Sequence, residues 1–155
     1  IGAMFNNASS NLEANRAHDR AYYNANEGSD YTTTSTTGAS VDATNFNHNV
    51  ILTELSDIDV LFSGAATNTG TNIVFLDVLL DGTLIADDSG ITGQQVSSAG
   101  IRMNVSFSLI EPNKLPGTHN AILRWKINAG TATMYAGAGT ASSDFHPRFS
   151  IAIRN

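Results

Sequence analysis

The stretch from Gly117 to Ala138 most constrains what this chain can fold into, because it is the longest continuous run of strand character. Apolar side chains alternate there with polar ones at a period of two, which places them on opposite faces of a strand. The apolar positions are Ala121, Leu123, Trp125 and Ile127. Arg124 and Lys126 stand between them and mark the outer or interfacial face. The turn residues up to Gly130 then predict a hairpin into a second strand, residues 131–136.

Seven further stretches with strand character are separated by turn-forming residues, and together with the two strands of the Gly117 hairpin they predict an all-β chain of nine strands. The seven stretches are residues 31–37, 49–55, 58–63, 73–80, 83–86, 101–110 and 148–154. Residues 64–72, 87–100, 111–118 and 137–146 are predicted to be loops. Regular spacing of this kind is typical of an antiparallel β-sandwich or jelly roll. The run Ile73 to Leu80 is apolar on both faces except at Asp77, so we expect it to be covered on both sides, by a sandwich interior or an oligomer interface.

The first thirty residues differ from the rest, since Asn and Ala dominate and apolar side chains are isolated. We predict an extended N-terminal arm over residues 1–30 and one jelly-roll domain over residues 31–155. Residues 11–23 can also form a short helix with Asn11 as its cap, although its apolar stripe is thin. Arms with a few aromatic residues among small polar ones suit packing on their own domain or on a neighbouring subunit.

Composition narrows the function classes. The 155 residues suit a single domain, and the formal net charge of -6 with only eight Lys and Arg residues argues against binding nucleic acid. The chain has no Cys, which excludes disulfides, thiolate metal sites and cysteine nucleophiles. No apolar run approaches the ~20 residues of a membrane-spanning helix, so we expect a soluble protein with no membrane partner.

Residues that carry chemistry do not form a recognisable catalytic or metal-binding pattern. The four histidines are far apart in sequence, and neither Asp57 with Asp59 nor Asp87 with Asp88 lies in a calcium-binding loop pattern. We therefore expect no enzyme activity, no cofactor and no metal. Asp77 interrupts an apolar strand, and if it is buried it needs a partner, for which we predict an ion pair with Arg124 or Arg102.

Three segments carry a family resemblance: DVLLDG, then LPGTHNAILRWKINAGTATMYAG, and the closing HPRFSIAIR. Their order resembles the jelly-roll modules of tailed-bacteriophage structural proteins, namely trimeric capsid decoration proteins and head-fibre or tail-fibre tips. That fold is similar to the tumour necrosis factor (TNF) and C1q family. The resemblance covers roughly residues 49–155, and it implies a TNF-like homotrimer in which one sheet of each subunit packs around a threefold axis.

The function implied by this resemblance is that of a capsid decoration protein, located on the virion surface and binding between copies of the major capsid protein. The alternative is a fibre tip that recognises a host surface glycan or protein through its loops. Candidate contacts with other subunits or with the capsid are Phe5, Tyr22, Tyr23, Arg124, Tyr135, Ile151 and Ile153.

Overall fold

The computed structural model describes residues 20–24, 30–87, 89–137 and 146–154, with side chains from residue 30 onward. Within these residues the chain forms twelve strands and no helix, so it offers no helix that could span a membrane. The strands are β1 Arg20–Asn24, β2 Tyr31–Thr33, β3 Ala39–Ser40, β4 Asn47–Leu52, β5 Ser56–Asn68, β6 Ile73–Leu80, β7 Thr83–Leu84, β8 Thr92–Gln95, β9 Met103–Lys114, β10 Gly117–Ile127, β11 Ala132–Met134 and β12 Arg148–Arg154.

Two six-stranded antiparallel sheets divide these strands between them. In sheet A the strands lie in the order β1-β12-β5-β9. On the edge of β5 that pairs with β12, the C-terminal part of β5 pairs instead with β11, and β11 in turn pairs with β2. In sheet B, β10 lies at the centre, with β6 on one side and β3 and β4 on the other, while β7 and β8 pair with β6. Successive strands cross from one sheet to the other, from β4 to β5 to β6 and from β9 to β10 to β11. The predicted all-β, antiparallel jelly-roll sandwich is confirmed.

The core lies between the two sheets and contains the alternate side chains of their central strands. Phe46 packs edge-on against Phe62 and Phe149, with ring centroids 6.4 and 6.3 Å apart. Leu123 is fully buried and Trp125 is 3% exposed, so the apolar face predicted for this strand is confirmed. Burial of these large side chains is the main favourable term in folding.

The predicted hairpin after Gly117 is wrong, although both of its strands exist. β10 belongs to sheet B, whereas β11 pairs with β5 and β2 in sheet A. The turn therefore carries the chain across the sandwich. Asn68 holds this crossing, because its side-chain amide donates to the Ala129 carbonyl at 3.1 Å. Gly130 has a φ of 81°, the left-handed region in which a residue without a Cβ is least strained.

Three predicted loops are partly strand. Residues 64–68 extend β5, β8 lies within the predicted loop 87–100, and β9 continues beyond Ile110 to Lys114, through Pro112. Pro112 is tolerated because β9 is an edge strand of sheet A and does not need every ladder donor. At Asn113 the backbone adopts a positive φ of 56°, and its N–H donates to the Asp57 carboxylate at 2.9 Å. A register shift between Ser56 and Ile58 accommodates this irregularity.

Part of the predicted N-terminal arm belongs to sheet A. Arg20–Asn24 forms β1, which pairs along its whole length with β12. A helix is therefore wrong for residues 20–23, because their main-chain groups bond to another strand. The remaining arm residues, 1–19 and 25–29, lie outside the described residues.

Replacing Trp125 with Ala should lower the free energy of unfolding by about 3–5 kcal/mol, since it removes a large side chain from a closely packed core. Thermal or urea unfolding measures the change. Thr118→Ala is the control on the same strand, and because Thr118 is exposed it should alter stability by less than about 0.5 kcal/mol. A Trp125→Ala protein as stable as this control would contradict the placement of Trp125 in the core.

Candidate functional site

Sheet A has an outer face, turned away from sheet B, that is made mostly of small side chains. Val60 and Phe62 are buried in the core, so Leu61 between them points outward, and it is 37% exposed. Its neighbours in register are Ser150 of β12 and Ser108 of β9. We define the outer face of sheet A by Asp59, Leu61, Ser63, Ser106, Ser108, Ile110, Ser150 and Ala152.

A second exposed apolar side chain lies beside Leu61. Ile110 is 42% exposed and is the register partner of Asp59, which also pairs with Ala152. The Asp59 carboxylate forms an ion pair with Arg154 at 3.6 Å, so its charge is partly balanced within the chain. The outer face is therefore a small-residue surface with two exposed aliphatic side chains and a charge pair toward one end.

The structure places the predicted contact residues in different surroundings. Phe5 lies outside the described residues. Tyr22 and Tyr23 fall in β1, opposite Ser150 and Phe149, and only their main chain is described. A contact between these tyrosines and another subunit stays a prediction.

Two of the predicted contacts come from β12 and face the core. Ile151 is fully buried, and Ile153 is partly buried against the same cluster. Ile151 therefore has no exposed surface to offer another subunit. Tyr135 is partly exposed, and the Arg102 guanidinium lies over its ring at 3.9 Å from the centroid, which is a cation–π geometry.

Arg124 and Asp77 are register partners in sheet B, but they do not form the predicted ion pair. Asp77 is 5% exposed, and its Oδ1 accepts hydrogen bonds from the N–H groups of Val78 at 2.7 Å and Ala86 at 3.1 Å. Arg124 donates instead to the carbonyl of Gly38. Asp77 Oδ2 and Arg124 Nε are buried without a hydrogen-bond partner among the described residues. The buried carboxylate thus ties the segment after β7 to β6, and its main support comes from backbone donors.

His119 lies where two connections meet at one end of the sandwich. Its Nδ1 is 2.7 Å from the Asp81 carboxylate, and its Nε2 is 2.8 Å from the Leu115 carbonyl. A carbonyl only accepts hydrogen bonds, and so does an ionised carboxylate, so both contacts are hydrogen bonds when the imidazole is protonated and donates from both nitrogens. Asp81 also accepts from the Asn120 N–H at 2.8 Å. His119 thus connects residues 81–82 with residues 115–116 through its two ring nitrogens.

The pKa of His119 is set by opposing effects. Partial burial alone lowers it, but the hydrogen bonds to Asp81 and the Leu115 carbonyl, with the charge of Asp81, outweigh both burial and the nearby Lys114 cation. The pKa of His119 is therefore raised above its ordinary value. The pKa of His48 is shifted in the opposite direction, because burial lowers it more than the main-chain hydrogen bonds raise it. Its ring stacks on Phe149 with centroids 5.4 Å apart.

Two cavities described on this chain are small. One lies beside Asp77 and Arg124 and has a volume of about 10 Å³, which is space for roughly one water molecule. The other, lined by Leu80, Leu84, Glu111 and neighbouring residues, measures about 190 Å³. Both are below the ~300 Å³ at which pockets for drug-sized ligands begin. Over the described ranges, no three His, Asp or Glu side chains come together in a way that could hold a metal ion.

The sequence analysis did not predict that Leu61 and Ile110 are exposed on one surface. The alternation places Leu61 on the same face as Asp57 and Asp59, so its outward orientation could have been predicted from the sequence. What the sequence did not contain is the pairing of β5 with β9, which brings Ile110 beside Asp59.

No family model matches this chain, and no curated protein matches it either. Solved structures with a similar fold include the globular domain of zebrafish complement 1qA protein, at 12% identity and a TM-score of 0.44, covering 89% of this chain and 99% of that one. The VP2 protein of infectious bursal disease virus matches at 12% identity and a TM-score of 0.38, over 87% of this chain and 35% of VP2.

A third similar structure is the CBM36-1 domain of a multidomain xylanase from the hindgut metagenome of Trinervitermes trinervoides. It matches at 9% identity and a TM-score of 0.41, over 84% of this chain and 96% of that domain. Because all three TM-scores are below 0.5, these similarities do not indicate the function of this chain.

The His119 contacts predict a pH dependence of definite sign. The folded-state pKa of His119 lies above the unfolded value of about 6.5. The stability that the His119 hydrogen bonds to Asp81 and Leu115 contribute is therefore fully present below that pH and is lost as pH rises through the folded-state pKa. A titration of the histidine ring protons by NMR should give a midpoint above 6.5 for His119 and below 6.5 for His48. Asp81→Asn should move the His119 midpoint downward. A wild-type His119 midpoint at or below 6.5 would contradict the doubly donating imidazole.

Proposed function

We propose that this chain is a structural protein of a tailed-bacteriophage virion, in which it forms a homotrimer and decorates the capsid surface between copies of the major capsid protein. The sequence resemblance to phage jelly-roll modules motivates the proposal. The observation that supports it most is the outer face of sheet A, which leaves Leu61 and Ile110 exposed among small side chains.

This outer face has the properties of a surface that packs against copies of itself. Ser108 and Ser150 are the register neighbours of Leu61 on either side, so the side chains directly beside Leu61 are small. Burying the two aliphatic side chains would stabilise the assembly by removing apolar area from water. In a closed threefold arrangement every subunit uses the same patches, which suits a chain without disulfides.

A decoration role depends on extended surface contact and needs no ligand pocket. The cavities beside Asp77 and beside Glu111 hold about 10 and 190 Å³. Buried polar groups such as Asp77 and Asn68 hold strands and turns in place. The alternative, a fibre tip that binds a host glycan or protein, is separated from decoration by where the protein lies on the particle.

The trimer gives the first test. Light scattering on the purified chain should give a mass near three times 16.4 kDa. Leu61→Asp should shift the mass toward that of one subunit, because a charge would be buried at the interface. Ile101→Asp is the matched control, since Ile101 is 50% exposed and its carbonyl accepts from Thr67, beyond the residues that define the outer face, and it should stay trimeric. A wild-type monomer, or a Leu61→Asp trimer of unchanged stability, would refute this interface.

The position on the particle gives the second test. Gold-labelled antibodies against this chain, applied to purified virions and imaged by electron microscopy, should label the capsid at regular lattice positions. Label confined to a tail or fibre tip would instead support receptor binding. Particles without any label would reject both roles.

A further inference from the structure

Three of the most exposed large hydrophobic side chains gather at one end of the sandwich. Leu115 is 71% exposed, Ile51 67% and Leu55 58%. Main-chain pairing brings them together, because Thr118 pairs with Ile51 and Ser56 pairs with Lys114. Leu115 follows Lys114 and Leu55 precedes Ser56, so the three side chains belong to adjacent segments. We call Ile51, Leu55 and Leu115 the apolar end.

The fold does not require these side chains to be apolar. Ile51 lies between Val50 and Leu52, which are buried in the core, so its own side chain points away from the core. Leu55 and Leu115 lie in connections between strands, where polar residues are the usual choice. Clustered exposed apolar side chains at such positions mark interaction surfaces.

Leu115 is held in place rather than free to fold back. The His119 imidazole donates to the Leu115 carbonyl and to the Asp81 carboxylate, which joins this connection to the hairpin after β6. Pro116 follows Leu115 directly and restricts its backbone further. A surface fixed before binding loses less conformational entropy when a partner docks.

The start of β1 and the end of the last strand both lie at the apolar end. Arg154 pairs with Asp57, one residue after the start of β5. β1 runs antiparallel to β12, with Arg20 opposite Ala152, so Arg20 lies at this end of sheet A. A partner held by the predicted arm would therefore also meet the apolar end.

The charges around the apolar end define the partner further. Lys114 is paired with Glu111 at 3.1 Å, and Arg154 with Asp59 at 3.6 Å. Glu54, next to Leu55, is exposed and forms no ion pair with any described residue. The unbalanced charge beside the apolar side chains is therefore negative.

We propose that the apolar end is the surface that docks on the capsid, and that its partner is an apolar recess with a basic rim on a capsid protein. This docking role rests on the proposed decoration function. It assigns capsid contact to the end of the sandwich and leaves the outer face of sheet A to the trimer. A trimer carries three copies of the apolar end, so weak single contacts add up through multivalency.

The test uses virions assembled without this chain. Purified trimer of this chain is added back, and its binding is measured by co-sedimentation. Leu115→Asp and Ile51→Asp should each weaken binding about tenfold or more, the size expected for central apolar contacts. Glu54→Gln should weaken binding less and should reduce its sensitivity to salt. All three variants should keep the wild-type melting temperature and trimer mass.

Ile101→Asp is the matched control, because it puts the same charge on an exposed aliphatic position at the opposite end, where the Ile101 carbonyl accepts from Thr67. It should bind like the wild type. Wild-type binding by Leu115→Asp and Ile51→Asp, or equal weakening by Ile101→Asp, would overturn the apolar end as the docking surface. Failure of the wild-type trimer itself to bind would overturn the decoration function instead.

Two other occupants of the apolar end give distinct results. If a second copy covers it, Leu115→Asp changes the mass measured by light scattering. If residues 1–19 of the same chain cover it, their deletion increases the binding of a hydrophobic dye, and Leu115→Asp abolishes that increase. Either outcome would overturn capsid docking through this surface.

Discussion

The pairing of β5 on both of its edges is the constraint on which the rest of this domain depends. One edge holds β9 along most of its length, and the other holds β12 and then β11. Because the side-chain period of a strand is two, these registers decide which side chains face the core and which face outward. A slip of one residue would exchange Phe62 for Leu61 and would expose the aromatic cluster that Phe62 forms with Phe46.

Buried polar groups in this sandwich tie connections to strands. Asp77 accepts main-chain hydrogen bonds from Val78 and from Ala86 beyond β7, and Asn68 fixes the crossing between sheets at the Ala129 carbonyl. At the other end, His119 joins two connections through its two ring nitrogens. Each group satisfies backbone donors or acceptors where the regular sheet ladder stops, which is where a buried main chain most needs partners.

The outer face of sheet A and the apolar end differ in the chemistry of their side chains. The outer face of sheet A combines small side chains with Leu61 and Ile110, a combination that suits close approach of like sheets. The apolar end has larger and more exposed side chains, a fixed connection at Leu115 and an acidic neighbour in Glu54. In the proposed assembly, the outer face of sheet A forms the trimer and the apolar end attaches it to the capsid.

Local pattern in the sequence determined the all-β class, β6, β12 and the core positions Leu123, Trp125 and Ile127, because alternation at period two reports burial directly. Tertiary structure alone decided strand partners. The turn at Gly130 has the chemistry of a hairpin, yet it crosses between sheets, because Ala132 is satisfied by β5 and β2 rather than by β10. Pairing between distant strands likewise brought Leu61 beside Ser108 and Ile51 beside the Leu115 connection. A sequence reports the faces of its own strands, but the neighbours of each face depend on contacts between residues far apart in the chain.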